Sequence, residues 1–353
     1  MVIRYYEKTS LAIKGEFAKF ISAQQTKYIN TIGTFEITTD YLPENIALGD
    51  IIFTAGTECR SYCGEITQIE GSLTADGEKY TIKGRDIVGL LSERIPIVDG
   101  QVLGASSMKR ETVIKQLANL TFLASGEEAR NVSQICIAAD QERGAKIAFT
   151  ADPQKDVLEN MYDAAESVSW GIDLQPDFAN GKYVLDIIVP NELSDKVVLS
   201  PKFDNLINEA FVLSRASYKN TAYYSWTEND ITTYGCVTLN AGSGFNRRER
   251  WISASTGDGV TEAGASAIIQ MQLGNYKEIA SYSGDYQASQ TFTFGTDFDV
   301  GDIISYAGKI GVAEAQVIGY TQTHESGVYT LQLLLGDNVA SVVRNIQKVE
   351  RNN

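Results

Sequence analysis

An eight-residue block in this chain occurs twice. Gly49-Asp50-Ile51-Ile52-Phe53-Thr54-Ala55-Gly56 returns at an offset of 252 as Gly301-Asp302-Ile303-Ile304-Ser305-Tyr306-Ala307-Gly308, with six of the eight positions identical. Further on, Tyr80-Thr81-Ile82 has a counterpart in Tyr329-Thr330-Leu331, and the second copy runs three residues longer to its next glycine. The offset of 252 then returns, so that Gly84, Ile87, Leu90 and Leu91 align with Gly336, Val339, Val342 and Val343. A turn followed by Gly-Asp and two apolar residues is a common way to open a strand in any β protein, because glycine supplies the turn and the apolar pair buries. The matching order around it carries the argument: strand, glycine-bounded strands, short amphipathic helix. This order predicts two copies of one supersecondary unit and an internal pseudo-symmetry. Asp50 is then expected where Asp302 sits, Ile51 and Ile52 where Ile303 and Ile304 sit, and Gly84 where Gly336 sits.

A length of 353 residues suggests two or three domains at roughly 150 residues each. The apolar fraction of 43% is ample for cores, and the excess of tyrosine (18) over phenylalanine (13), with 30 glycines, favours strands joined by many turns. Proline is scarce and no Pro/Ser-rich linker appears, so the parts are expected to pack against one another. Short or alternating apolar patterns predict strands at 4–6, 11–13, 17–21, 34–38 and 64–69, with a hairpin turn at Ala75-Asp76-Gly77. Residues 85–95 switch to helical period. Residues 108–124 read as a helix, and Asp152-Pro153 reads as the N-cap and first turn of another. Strands follow at 183–189 and 197–199, then at 211–218, 221–227, 233–239 and 251–252. A helix is expected over 261–277, and a last one at 339–346. The predicted class is mixed, β-rich α+β. Residues 1–98 form a first small sheet or barrel and 99–204 an α+β module. Residues 205–353 form a second barrel with a helical insertion near 258–280.

The formal charge of −15 is spread along the chain, and the one basic cluster, Arg247-Arg248-Glu249-Arg250, reads as a loop or interface patch. A sequence-independent grip on nucleic acid needs clustered cations, so that class is not favoured. No signal-peptide pattern opens the chain, and no apolar run is long enough to span a membrane. The four cysteines, Cys59, Cys63, Cys136 and Cys236, lack the partners of a zinc site and are expected to be reduced and mostly buried. The single histidine, His324, is expected on a surface turn, which excludes Ser-His-Asp and Cys-His machinery. Two carboxylates alone can hydrolyse a glycoside, and Glu127-Glu128 and Asp297/Asp299 are the nearest candidates; both fall in loop-like stretches typical of solvated caps. Asn240-Ala241-Gly242-Ser243-Gly244 lacks the lysine of a phosphate loop and reads as a turn. No catalytic residue, metal site or cofactor is expected.

Several stretches together resemble a known family. They are Gly33-Thr34-Phe35-Glu36-Ile37, Leu48-Gly49-Asp50-Ile51-Ile52, Tyr62-Cys63-Gly64-Glu65-Ile66, the Gly84-Arg85-Asp86 helix opening followed by Leu90-Leu91 and Arg94-Ile95, Lys219-Asn220-Thr221-Ala222, and Gly301-Asp302-Ile303-Ile304. Over nearly its whole length the chain resembles the tail hub proteins of bacteriophages and prophages, the baseplate-hub and tail-associated group. The resemblance implies two tube-type β-barrels flanked by α+β modules, in a ring-shaped homotrimer. It implies as partners the tail tube or a distal tail ring protein on one side and a central spike or fibre on the other. DNA would pass through the channel without specific binding. The implied location is the virion tail tip, after assembly in the bacterial cytoplasm. Many members carry a lytic domain after the hub; none is seen before Asn353, so a purely structural role is expected. Two other classes stay open: a carbohydrate-binding β protein, which requires an exposed aromatic platform, and a carboxylate-dependent cell-wall hydrolase.

Overall fold

The computed structural model describes residues 1–56, 59–74, 77–228, 231–253, 262–288 and 292–337. The chain divides into two compact units, Met1–Asn208 with Gly284–Leu334, and Glu209–Ser283 with Leu335–Asn353. It is β-rich with few helices. The expected turn residues Ala75 and Asp76 and the expected helix at 339–346 lie outside the described residues.

The first unit opens with β1 (Val2–Tyr6), β2 (Ile13–Glu16), β3 (Ser22–Tyr28), β4 (Thr34–Thr39), β5 (Ile51–Ala55), β6 (Tyr62–Thr74) and β7 (Gly77–Asp86). They form an antiparallel row in the order β3-β4-β7-β6-β5-β1-β2. Alternate side chains point inward, as a strand's period of two dictates. Ile3, Tyr5, Ala23, Phe35, Ile37, Ile52, Tyr62, Ile66 and Ile82 share one core, so strands from both ends of the row face a common interior. Burying each large apolar side chain of this set is worth about 1.5–3 kcal/mol. The expected strand at 17–21 is instead a loop. Phe17 is buried there, but its N–H donates to Ile3 O and that of Ile21 to Thr38 O, and the strand starts at Ser22. Hydrophobic patterning missed β3 because it is polar, and its inward Gln25 is satisfied by other side chains. A short 3-10 turn, Ile87–Glu93, follows β7 and buries Ile87, Val88, Leu90 and Leu91.

The middle of the chain contributes β8 (Ile97–Val98), β9 (Gln101–Val102), β10 (Gly104–Lys109), α1 (Arg110–Phe122), β11 (Ile135–Ile137), β12 (Lys146–Thr150), α2 (Val157–Glu166), β13 (Gly171–Asp177) and β14 (Lys182–Ile188). β10 pairs with β12, and β14 lies between β11 and β13. α1 begins at Arg110 rather than Met108, which belongs to β10. The N-cap of α2 is Asp156, whose Oδ1 accepts from Glu159 N at 2.8 Å. Asp152 was expected in that role; it instead folds the turn before, accepting from Gln154 N. The buried faces of α1 and α2 (Ile114, Leu117, Phe122; Val157, Met161, Ala165) share one core with Ile51, Cys63, Ile87 and Leu91 from the opening strands.

Then come β15 (Val198–Leu199) and β16 (Leu206–Ser214), and later β20 (Ile279–Tyr286), β21 (Ile303–Gly308), β22 (Gly311–Glu325) and β23 (Val328–Gly336). Their order is β16-β20-β23-β22, with β21 on β22 and β15 on β21. The C-terminal half of β22 pairs antiparallel with β3, from Gly319 opposite Tyr28 to Glu325 opposite Ser22. Through this pairing the two rows form one 13-stranded sheet.

The second unit holds β17 (Thr221–Glu228), β18 (Ile231–Thr238), β19 (Glu249–Trp251) and α3 (Glu262–Gly274). β17 lies between antiparallel β18 and parallel β19. Its inward residues Ala222, Tyr224 and Trp226 pack with Ala265, Ile269, Leu273 and Tyr276.

Candidate functional site

The repeated block forms two corners in the first unit. Gly49 and Gly301 both have positive φ, 86° and 103°, a region where a side chain is strained. Gly49 N donates to Ile66 O at 2.8 Å, and Gly301 N to Val317 O at 2.7 Å. Asp50 Oδ2 accepts from Ala47 N at 2.8 Å, and Asp302 Oδ2 from Asp299 N at 2.8 Å. Asp50 O accepts from Ile66 N, and Asp302 O from Val317 N, both at 2.8 Å. Each aspartate thus ties off a turn three residues back, while its backbone opens a hairpin. Ile51 and Ile52 then face Glu65 and Gly64, and Ile303 and Ile304 face Gln316 and Ala315. Ile51, Ile52 and Ile304 are fully buried; Ile303 is half-buried.

Gly84 and Gly336 have different surroundings. Gly84 lies inside β7, where an added Cβ would stand 2.0 Å from Glu65 O and 2.3 Å from a Phe35 ring atom. Gly336 ends β23 with φ of 79°, against Ala280 O.

A buried polar line crosses the β3–β22 seam. Gln322 Nε2 donates to Gln25 Oε1 at 2.6 Å and to Arg60 O at 3.0 Å. Gln25 Nε2 donates to Thr54 Oγ1 at 2.5 Å, and Arg60 N to Gln322 Oε1 at 3.0 Å. The Arg60 guanidinium reaches both oxygens of Asp299, at 2.8 and 2.6 Å, and lies 4.8 Å from the Phe294 ring centre. Close by in the chain, Lys27 on β3 pairs with Asp173 on β13 at 2.7 Å. Burial opposes the Lys27 charge, but Asp173 and Asp86 outweigh it and hold its pKa above the ordinary value. Asp173 is lowered: burial works against its charge and Lys27 prevails. Asp86 is pushed up to about 6 by burial, against the pull of Lys27 and the N–H of Val88. One of its oxygens accepts from Val88 N at 2.9 Å; the other is buried without a partner. Sequence patterning missed these groups, because polar residues in β3 give no apolar signal and Asp173 and Gln322 are remote in sequence.

The remaining sequence candidates stand apart. His324 lies within β22, opposite Ala23 and edge-on to the Phe20 ring at 5.2 Å; the strand runs on to Glu325, and the expected turn begins only at Ser326. Asp299 is the partner of Arg60, Asp297 accepts from Thr293 N, and Glu128 opens a short 3-10 turn. Among the described residues no group of three or more His, Cys, Asp or Glu is placed to hold a metal. Among the described residues no cysteine is in a disulfide. Cys63 is buried, but Cys136 and Cys236 are exposed, contrary to expectation, because each points to the outer side of its strand. Among the described residues no helix is long and apolar enough to cross a membrane.

The fold is that of solved phage and prophage tail proteins. The chain is similar over 96% of its length to 96% of a tail protein from Neisseria meningitidis MC58, with a TM-score of 0.62 at 12% identity. It is similar over 95% of its length to 98% of the 43 kDa tail protein of prophage MuSo2 from Shewanella oneidensis, with a TM-score of 0.63 at 13% identity. Prophage tail protein gp18 from Listeria monocytogenes EGD-e matches 99% of the chain over all of its own length, at 13% identity and a TM-score of 0.54. The model of the siphovirus ReqiPepy6 Gp37-like proteins matches residues 3–337, and the chain belongs to that family of siphovirus tail proteins. No curated protein matches the sequence.

Proposed function

We propose that this tail protein is the structural hub at the distal end of a phage tail. Three copies form a ring that joins the sixfold tail tube, or a distal ring protein, to a central spike or fibre and leaves a bore for DNA. Each copy contributes two tube-type barrels, within residues 1–98 and 205–353, braced by the α+β module of 99–204. The observation that carries this reading is a strand order that recurs. β3-β4-β7-β6-β5 and β16-β20-β23-β22-β21 both run first, second, fifth, fourth, third in chain order, and each has the Gly-Asp corner before its third strand. Two like barrels per chain make six like elements from three chains, which is how a threefold ring meets a sixfold tube. The net charge of −15 suits a bore that must not retain a polyanion. The chain acts without cofactor and without hydrolytic chemistry.

Imaging of the purified chain at high concentration, or of intact tails, tests this. A threefold annulus with two barrels per subunit facing the bore is expected. A stable dimer, or a strongly basic channel wall, would overturn it. High concentration matters because ring formation follows mass action. Incubation with peptidoglycan is expected to release nothing; turnover abolished by a carboxylate mutation would refute the non-enzymatic role.

A further inference from the structure

The second unit has a sheet with one face buried and one face open. α3 covers the Ala222, Tyr224 and Trp226 side of β17. Because side chains alternate along a strand, the opposite face carries Tyr223, Ser225 and Thr227. In register with them stand Cys236, Tyr234 and Thr232 on β18, and Trp251 beside Tyr223 on β19. Tyr234 is opposite Ser225, and that small residue lets its ring lean across β17 toward Trp251. Their ring centres lie 6.1 Å apart with planes tilted by 57°. Neither ring is spent on stacking flat against the other. Tyr234 is 72% exposed and Trp251 47%. Tyr and Trp each join an apolar ring to a polar tip, so the two exposed together offer a stacking surface.

The surrounding groups indicate what fits. Beside the aromatic rings the same face carries the hydroxyls of Ser225, Thr227 and Thr232. Arg247 lies over Tyr223, 6.0 Å from its ring centre, and donates to the Tyr223 hydroxyl at 3.1 Å. Its guanidinium is also ion-paired with Glu249. The cation on this face is therefore neutralised in place, so the face offers planar donors and acceptors with little net charge. Stacking surfaces without free cations fit an uncharged ligand and disfavour a nucleic-acid strand, which needs a positive groove beside the rings. A pyranose has an apolar C–H face for the negative face of an aromatic ring and an equatorial rim of hydroxyls for paired donors and acceptors.

We propose that the open face of β17, β18 and β19, centred on Tyr234 and Trp251, binds a neutral saccharide chain, with the Arg247–Glu249 pair at its polar edge. This goes beyond the hub reading and does not depend on ring formation.

The test uses the full chain on an array of neutral bacterial surface oligosaccharides, followed by titration of each hit against the intrinsic fluorescence. Of the three tryptophans, Trp170 and Trp226 are buried and Trp251 is open, so the signal reports this face. At least one glycan is expected to bind and to shift the emission. Trp251→Ala and Tyr234→Ala are each expected to weaken binding about tenfold, as loss of one stacking ring does. Trp251→Phe should retain part of it. The Tyr234 ring is open enough that Tyr234→Ala leaves the fold intact, which keeps the test valid if Trp251 proves necessary for folding. No binding across the array, binding unchanged in the Trp251→Ala/Tyr234→Ala double variant, or preference for single-stranded DNA that fades with added salt would each overturn the proposal.

Discussion

In the first corner Asp50 faces the Lys14 ammonium at 2.5 Å, and the residue opposite Ile51 is Glu65, itself paired with Lys8 and Arg85. In the second corner Asp302 accepts from the side chain and backbone N–H of Asn191, at 2.7 and 3.1 Å, and the residue opposite Ile303 is the neutral Gln316. The backbone bonds of the two turns agree to within 0.1 Å, while one copy is covered by ions and the other by amides. The Gly-Asp pair is set by backbone geometry, a positive φ followed by a turn N–H three residues back that needs an acceptor. The covering groups only have to satisfy a carboxylate, and either chemistry does so.

The largest break in this likeness is expected at the glycines. At Gly301 a Cβ would stand 2.4 Å from Ile188 Cγ2, whereas at Gly49 nothing lies within 4 Å. Gly301→Ala should therefore cost about 2–5 kcal/mol, from strain plus overpacking. Gly49→Ala should cost only about 1–2 kcal/mol, from the positive φ alone. Denaturant unfolding of the two variants measures this, and equal losses would mean that Ile188 yields.

The next contrast lies where β7 and β23 end. Asp86 N donates to Gly33 O and Asp337 N to Ala280 O, but Asp337 is paired with Lys277 while Asp86 keeps a buried oxygen unpartnered. Asp86 is raised from 3.8 to about 6. A carboxyl raised in this way holds its proton more tightly folded than unfolded. Stability then falls as pH rises from about 4 to about 6, and the cost persists above that. Asp86→Asn is expected to stabilise the protein by up to about 3 kcal/mol at pH 8, with the gain vanishing below about pH 4. Thermal melts across that range check it; a gain independent of pH would show that charge is not the cause.

The smallest expected effect separates the coverings themselves. Asp50→Ala and Asp302→Ala should each cost about 1–3 kcal/mol, since each leaves a turn N–H without its acceptor. Added salt should shrink the Asp50 loss, because part of it is the ion pair with half-buried Lys14, and leave the Asp302 loss unchanged. Melting both variants at low and high salt measures the difference.

The corners were legible in sequence because a positive-φ glycine and a turn-closing aspartate leave few alternatives at those positions. The helices were legible from their apolar stripes, but their starts were not: Asp152 and Asp156 both precede α2, and only the fold decides which one caps it. β3 was invisible because its interior face is built on Gln25 and Ala23, and the glutamine is acceptable inside only when Gln322 and Thr54 are brought to it. The open aromatic face was hidden for a related reason. Tyr223, Tyr234 and Trp251 become neighbours only through the pairing of three strands, and nothing in their spacing marks them among 18 tyrosines.

The seam between β3 and β22 sets the timetable on which this protein can be made. Gln25 and Gln322 are 297 positions apart, and the bonds between them cannot form until the ribosome has released residues beyond Glu325. Until then β3 has an unpaired edge through nearly the whole of synthesis, the kind of exposed edge that recruits other chains. A pairing this remote also makes the final joining slow relative to the local hairpins β5–β6 and β21–β22. The polar character that concealed β3 from the sequence reading has a use during that wait. An edge lined with Ser22, Gln24, Thr26 and Lys27 is a poor template for aggregation, so the strand that must wait longest is also the one best suited to waiting in water.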